Sequence, residues 1–269
     1  MRIALLTSQR VPEQDSLTRE CLDLLVRWGV HVDARHAIGC VELGDVTVEH
    51  DLYLLASPSR AVVSLTTGLA ALGARCLNVP EMVRLCRDRI RTVMLLASAG
   101  VPTPRTWVAG SAEDLIEPLR DGPVVLRSAE MSCSVGAKVL WNVDEVIDLP
   151  LPEGATLAQE VHPNDQYAHR VYRIGHQTFA VKRPCWMAFS SETREEPVPA
   201  TDEMCEIADR VASMFRSELF GLDLVGAEGR LQVVEVCPFP RLGGVPDAAL
   251  RLADYIYARG MEIAEEVRR

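Results

Sequence analysis

The first eighty residues alternate short apolar runs with stretches of helical periodicity, and that alternation limits the fold more than any other feature of the chain. Arg2–Thr7 is an apolar run of strand length. Leu17, Cys21, Leu24, Leu25 and Trp28 then recur at helical spacing, and Gly29 supplies a stop. Val30–Ala34 and Asp51–Ala56 read as further strands, the second ended by Ser57-Pro58. A helix over 61–72 stops at Gly73, and Cys76–Pro80 closes the unit. Strands alternating with helices favour a parallel sheet covered on both faces, so residues 1–80 are expected to form a small α/β domain.

The pattern then changes. Glu81–Cys86 and Asp88–Ala99 read as helices, with Ile90, Val93, Met94 and Ala97 forming an apolar stripe on the second and Gly100 as its cap. Val101-Pro102-Thr103-Pro104 cannot continue a helix and marks a rigid linker. Strands are expected at 106–109, 123–128 and 137–141, with a small-residue loop over 129–136, and these complete a second unit over 81–158. The third unit, 159–269, begins within a strand over 156–161. It continues with strands over 170–174 and 177–183, a polar loop over 190–201, a helix near Met204–Leu219, and a hairpin of Gly221–Val225 with Leu231–Val236.

Composition narrows the function. The net charge of −10 argues against generic binding to nucleic acid or to an anionic membrane surface. Charged residues interrupt every apolar stretch well short of the roughly eighteen needed to span a bilayer. The eight cysteines are scattered, with no C-x-x-C pair and no histidine at zinc-ligand spacing, as in a reducing compartment. A soluble cytoplasmic protein is expected, and the sequence sets no oligomeric state. Only two of the 28 basic residues are lysines, Lys138 and Lys182, so cationic work falls mostly to arginine.

Asp223 and Glu235 lie on the two strands of the last hairpin, 12 residues apart. Folding about Glu228-Gly229 brings them opposite or nearly opposite each other on one face. Adjacent carboxylates repel unless a cation lies between them, and a hard divalent ion is the usual occupant; the other reading is a solvated acidic face. In the loop Ser132–Gly136, small residues and serine hydroxyls suit an anion, although an ordinary hairpin loop fits the same residues.

The order of features carries more. Cys86-Arg87-Asp88-Arg89 is followed by Ala99-Gly100-Val101-Pro102-Thr103-Pro104, then Gly122–Arg127 and Ala158-Gln159-Glu160-Val161. After these come His169–Gly175, Phe220-Gly221-Leu222-Asp223 and Val234–Pro240. This series resembles the ATP-grasp superfamily, and most of all its branch of carboxylate–amine ligases related to ribosomal protein S6 glutamate ligase. The resemblance implies an ATP-grasp fold of mixed α/β and α+β character, with an N-terminal α/β domain, a small central lid and a C-terminal ATP-binding domain. It also implies an ADP-forming ligase that joins a small-molecule or peptide carboxylate to an amine acceptor through an acyl phosphate, using ATP with Mg2+ or Mn2+.

Carried over by position, the resemblance implies that Arg89 and Arg127 hold the nucleotide phosphates where the family uses lysine. Ser132, Ser134 and Gly136 close over those phosphates. Gln159, Glu160 and Val161 meet the adenine, the last two through backbone groups, and Asp165 meets the ribose. Asp223, Glu235 and Cys237 are the metal positions, and Arg170, Lys182 and Arg183 hold the acceptor or the γ-phosphate. Three departures stand out: arginine for both phosphate lysines, Cys237 for the usual asparagine, and Arg241 for the glycine after the final proline. They keep two other readings open. One is a small-molecule kinase resembling the ATP-grasp inositol-phosphate kinases around Arg170–Pro184; the other is a nucleotide-binding pseudoenzyme.

Overall fold

The computed structural model describes residues 1–7, 16–36, 42–57, 59–129, 138–147, 149, 151, 156–161, 167–184, 195–227 and 230–268. Its first sheet is parallel, in the order β2 (His31–His36), β1 (Arg2–Thr7), β3 (Leu52–Leu55), β4 (Cys76–Leu77). The central strands β1 and β3 are buried on both faces, which is why they read as continuous apolar runs, whereas the edge strand β2 carries polar residues. Ile3 and Leu5 pack with α1 (Ser16–Arg27) and α7 (Ala248–Arg268), while Ala4 and Leu6 on the alternate face pack with α2 (Arg60–Ala71).

Two helices follow β4. Pro80 opens α3 (Pro80–Arg87), where its missing N–H costs nothing. Asp88 caps α4 (Arg89–Ser98), its side chain accepting from the Arg91 N–H at 3.1 Å.

The second sheet is antiparallel, in the order β5 (Thr106–Ala109), β8 (Thr156–Glu160), β6 (Val124–Ser128), β7 (Lys138–Leu140). The short α5 (Ile116–Asp121) lies against it, and Ala109, Leu115, Leu119, Val124, Leu126 and Leu140 form its core. β8 runs across residue 158, where a boundary between units was expected, and all of it pairs in this second sheet.

The third sheet runs β11 (Glu196–Val198), β10 (Gln177–Pro184), β9 (Tyr167–Ile174), β12 (Leu219–Ala227), β13 (Arg230–Cys237), all neighbours antiparallel. α6 (Asp202–Phe215) covers one face. Its Met204, Ile207, Ala208, Val211 and Phe215 pack on Val171, Phe220, Leu222 and Leu224. The other face carries charge.

Three features differ from the sequence expectation. β11 falls inside the stretch expected to be a polar loop. α6 ends at Phe215, because Arg216 turns left-handed at φ 50° and caps back to Ala212 instead of continuing to Leu219. The 21-residue α7 was not foreseen. It comes from the C-terminal end of the chain yet packs on the first sheet, with Ala249, Ala253 and Ile256 in the same core as Ile3 and Leu25.

Candidate active site

The antiparallel registers build the site. Asp223 pairs with Glu235 across β12–β13, and with Arg170 across β9–β12, so all three share one face of the third sheet. A β-bulge follows Asp223, and the register shifts between Asp223 and Leu224. Arg183 lies on β10 two residues beyond Val181, the partner of Arg170, and alternation places it on the same face.

Asp223 is held from two sides. Arg170 grips it in a fork, Nε to Oδ1 at 2.6 Å and Nη2 to Oδ2 at 2.7 Å, and Arg183 Nη2 reaches Oδ2 at 2.8 Å. The Asp223 side chain is only 9% exposed. Burial alone would lower the Arg170 pKa, but its hydrogen bonds and charge attraction to Asp223 outweigh burial and hold it above the ordinary guanidinium value.

Glu235 is held by the other two arginines. Arg89 Nη2 lies 3.4 Å from Oε1 and Arg127 Nη2 lies 3.4 Å from Oε2. These arginines are anchored by backbone. Arg89 opens α4, its N–H donates to the Ala129 carbonyl at 2.9 Å, and its Nη1 donates to the Ser128 carbonyl at 2.9 Å. Arg127 projects from β6 and donates through Nη1 to the Val234 carbonyl at 3.0 Å. Burial lowers the Arg127 pKa, and Glu235 opposes that shift. Residues from all three of α4, β6 and β13 therefore meet at one carboxylate. Beside them a cleft opens between α4, the second sheet and β13, lined by Cys86, Arg89, Thr92, Arg127, Gln159 and Glu235.

The remaining expected residues differ in where they fall. Gln159 is buried on β8 in this cleft, its Nε2 donating to Thr106 Oγ1 at 3.3 Å. Glu160 and Val161 are expected to offer backbone groups to adenine; their N–H groups donate to the Arg105 carbonyl at 2.9 Å and the Pro123 carbonyl at 3.1 Å. Any contact with a base from these two must come from other atoms.

Lys182 is not brought to the site. It pairs with His169 on the opposite face, which α6 covers, because successive strand residues alternate faces. Ser132, Ser134, Gly136 and Asp165 lie outside the described residues.

Cys237 is close in space but chemically turned away. Its Sγ donates to the Phe239 carbonyl at 3.3 Å, and burial pushes its thiol pKa up. Among the described residues no cluster of three or more His, Cys, Asp or Glu side chains forms a metal nest. The hard oxygens of Asp223 and Glu235 fit a divalent cation that takes its remaining ligands from phosphate or water; a protonated thiol does not.

Two contributors escaped the sequence reading. Tyr172 is buried two residues along β9 from Arg170, on the same face. It lies over Gly221, where an added Cβ would come within 3.5 Å of the ring and 3.4 Å of Pro240. Period-2 alternation from Arg170 would have found it. Asn78 ties the first sheet to the hairpin: its Nδ2 donates to the Leu219 carbonyl at 2.7 Å and to the Pro238 carbonyl, and its Oδ1 accepts from Ser217 Oγ at 2.9 Å. No local pattern marks that role.

Comparison with solved structures decides the fold. The chain matches an ATP-grasp RimK domain protein from Sphaerobacter thermophilus with a TM-score of 0.75 at 19% identity, over 95% of this chain and 99% of that one. The chain has the ATP-grasp fold. A second ATP-grasp structure, the ligase PsnB complexed with Mg, ADP and a phosphomimetic variant of its minimal precursor, matches with a TM-score of 0.74 at 16% identity, over 96% and 98% of the two chains. Among curated proteins, a probable alpha-L-glutamate ligase of Serratia proteamaculans is 29% identical over 211 residues, 70% of this ATP-grasp chain and 69% of that protein. No protein-family model matches the chain. No helix among the described residues is long and apolar enough to cross a membrane.

Proposed function

We propose that this ATP-grasp protein is a cytoplasmic carboxylate–amine ligase that works through an acyl phosphate and releases ADP. The observation that carries the reading is the face formed by Asp223, Glu235, Arg89, Arg127, Arg170 and Arg183. Four guanidiniums against two carboxylates leave a net charge of +2. ATP with one magnesium ion carries about −2 near neutral pH, so the face and its ligand balance. Support also comes from the likeness to a protein named as a glutamate ligase and to a ligase solved with Mg and ADP.

In this reading Arg89 and Arg127 chelate phosphate oxygens in place of lysines, a role the planar guanidinium fills well. Asp223 and Glu235 hold a divalent cation against the polyphosphate; when bound, that ion neutralises charge on the transferring group. A carboxylate oxygen of the acid substrate attacks the γ-phosphorus, the bond to the β–γ bridging oxygen breaks, and ADP leaves. The amine then attacks the acyl carbon. The carbon–oxygen bond to phosphate breaks, inorganic phosphate departs, and the amine loses a proton. Arg170 and Arg183, freed from Asp223 by the incoming charge, stabilise the transferring phosphoryl group.

The test uses hydroxylamine with ATP and a panel of amino-acid and peptide carboxylates. A ligase gives an acyl hydroxamate, and oxygen-18 from the carboxylate appears in released phosphate. A stable phosphorylated product without free phosphate would overturn the ligase reading in favour of a kinase.

A further inference from the structure

We infer that Arg170 and Arg183 are selectivity residues that exclude free divalent cations from Asp223 and admit metal only with a polyphosphate. The inference rests on the metal–nucleotide part of the proposed function and goes beyond it, because it concerns what the site refuses. A carboxylate offers about four lone-pair positions. On Asp223, three are taken: Oδ1 by Arg170 Nε, and Oδ2 by Arg170 Nη2 and Arg183 Nη2, all at 2.6 to 2.8 Å.

A cation approaching alone must displace short charge-assisted hydrogen bonds around a side chain that is 9% exposed, and must enter a face whose net charge is already positive. Neither cost is repaid within the described residues, where Arg170 and Arg183 pair with no carboxylate other than Asp223. A triphosphate changes both terms. It offers each guanidinium a pair of non-bridging oxygens that its fork can span, so the fork moves from carboxylate to phosphate, and it reverses the sign of the local field.

Glu235 yields first by the same argument. It is 27% exposed, and its two arginine contacts are longer, at 3.4 Å each. The expected sequence is therefore polyphosphate onto Arg89 and Arg127, release of Glu235, then transfer of Arg170 and Arg183 and opening of Asp223. The metal enters as part of that exchange.

Equilibrium dialysis of the full chain against Mn2+ tests this. Metal and nucleotide cross the membrane freely, so excess metal on the protein side is bound metal. The wild type should hold Mn2+ tightly only with a non-hydrolysable ATP analogue present. Arg183→Gln leaves the Arg170 fork to keep Asp223 paired, so the fold is preserved, while one oxygen position is opened. It should gain nucleotide-free Mn2+ affinity by about tenfold or more, and Arg183→Lys, which keeps the charge, should gain less. The inference is overturned if the wild type binds Mn2+ as tightly without the analogue as with it. It is equally overturned if Arg183→Gln leaves the nucleotide-free affinity where it was. No bound Mn2+ even with the analogue sinks the metal–nucleotide reading itself, and the arginine role with it.

Discussion

A thiol ligates a cation as a thiolate, so the proton on Cys237 decides whether it joins Asp223 and Glu235. Burial raises its pKa; the hydrogen bond to Phe239 and the charge on Arg170 oppose that without overcoming it. The Sγ–H is donated to the Phe239 carbonyl at 3.3 Å, and magnesium prefers hard oxygen to sulfur. Cys237→Ser and Cys237→Asn are therefore expected to leave the ratio of magnesium- to manganese-supported turnover unchanged, and a metal titration of both variants checks it. A shift toward magnesium in Cys237→Asn would restore the thiol as a ligand. The two carboxylates should behave unequally. Calorimetry of ATP with metal should show affinity lower by at least about tenfold in Asp223→Asn and in Glu235→Gln. Asp223→Asn should also cost about 3 kcal/mol of stability, because it leaves Arg170 and Arg183 part-buried without their counter-charge and turns one acceptor oxygen into a donor facing them. Glu235→Gln removes only 3.4 Å contacts from a more exposed side chain and should cost about 1 kcal/mol or less.

At the scale of elements, one pair of strands serves two purposes. β9 and β10 present Arg170 and Arg183 to the site on one face, and His169 beside Lys182 on the face under α6. Burial, then the positive charge of Lys182, lowers the His169 pKa from its ordinary value of 6.5. The sign follows from linkage. The unfolded chain takes up a proton at His169 before the folded one does, so its contribution is fully present above pH 6.5 and is lost as pH falls through the folded value. Thermal unfolding across that range should show His169→Gln losing part of the acid-side drop in Tm; an identical pH profile would remove His169 as its cause. The same strands explain what was legible in the sequence. Asp223 opposite Glu235 was readable because hairpin register follows from turn position and alternation, whereas Lys182 was misplaced by ignoring that alternation between neighbours. α7 was overlooked although Ala249, Ala253, Ile256 and Ile263 recur at helical spacing; only its packing on the first sheet, at the far end of the sequence, has no local record. The partners of the Glu160 and Val161 N–H groups are likewise set by contacts distant in sequence.

At the scale of the molecule, three sheets must be held so that Arg89, Arg127 and Glu235 converge from separate elements, and the Asn78 carboxamide is where the first sheet is fastened to the third. Asn78 sits between β4 and α3, at 2% exposure, and its bonds reach the start of β12 at Leu219 and the exit of β13 at Pro238. Asn78 thus links the chain entering α3 and α4, which carries Arg89, to both ends of the hairpin that carries Asp223 and Glu235. Asn78→Ala leaves the Leu219 and Pro238 carbonyls and the Ser217 hydroxyl without this partner, a loss of about 2 to 4 kcal/mol. Asn78→Asp keeps the shape but turns the donor into an acceptor facing two carbonyls, so it should destabilise at least as much as alanine. If Asn78 only stabilised the fold, both variants would melt earlier and, at a temperature where they are folded, bind ATP with metal as the wild type does. If it positions the site, affinity measured by calorimetry on the folded variants should fall by about tenfold, because Arg89 no longer meets the phosphates in register with Arg127. Unchanged affinity with a lowered Tm would confine Asn78 to stability and place the control of domain spacing in the α3–α4 packing around Met82 and Leu96 instead.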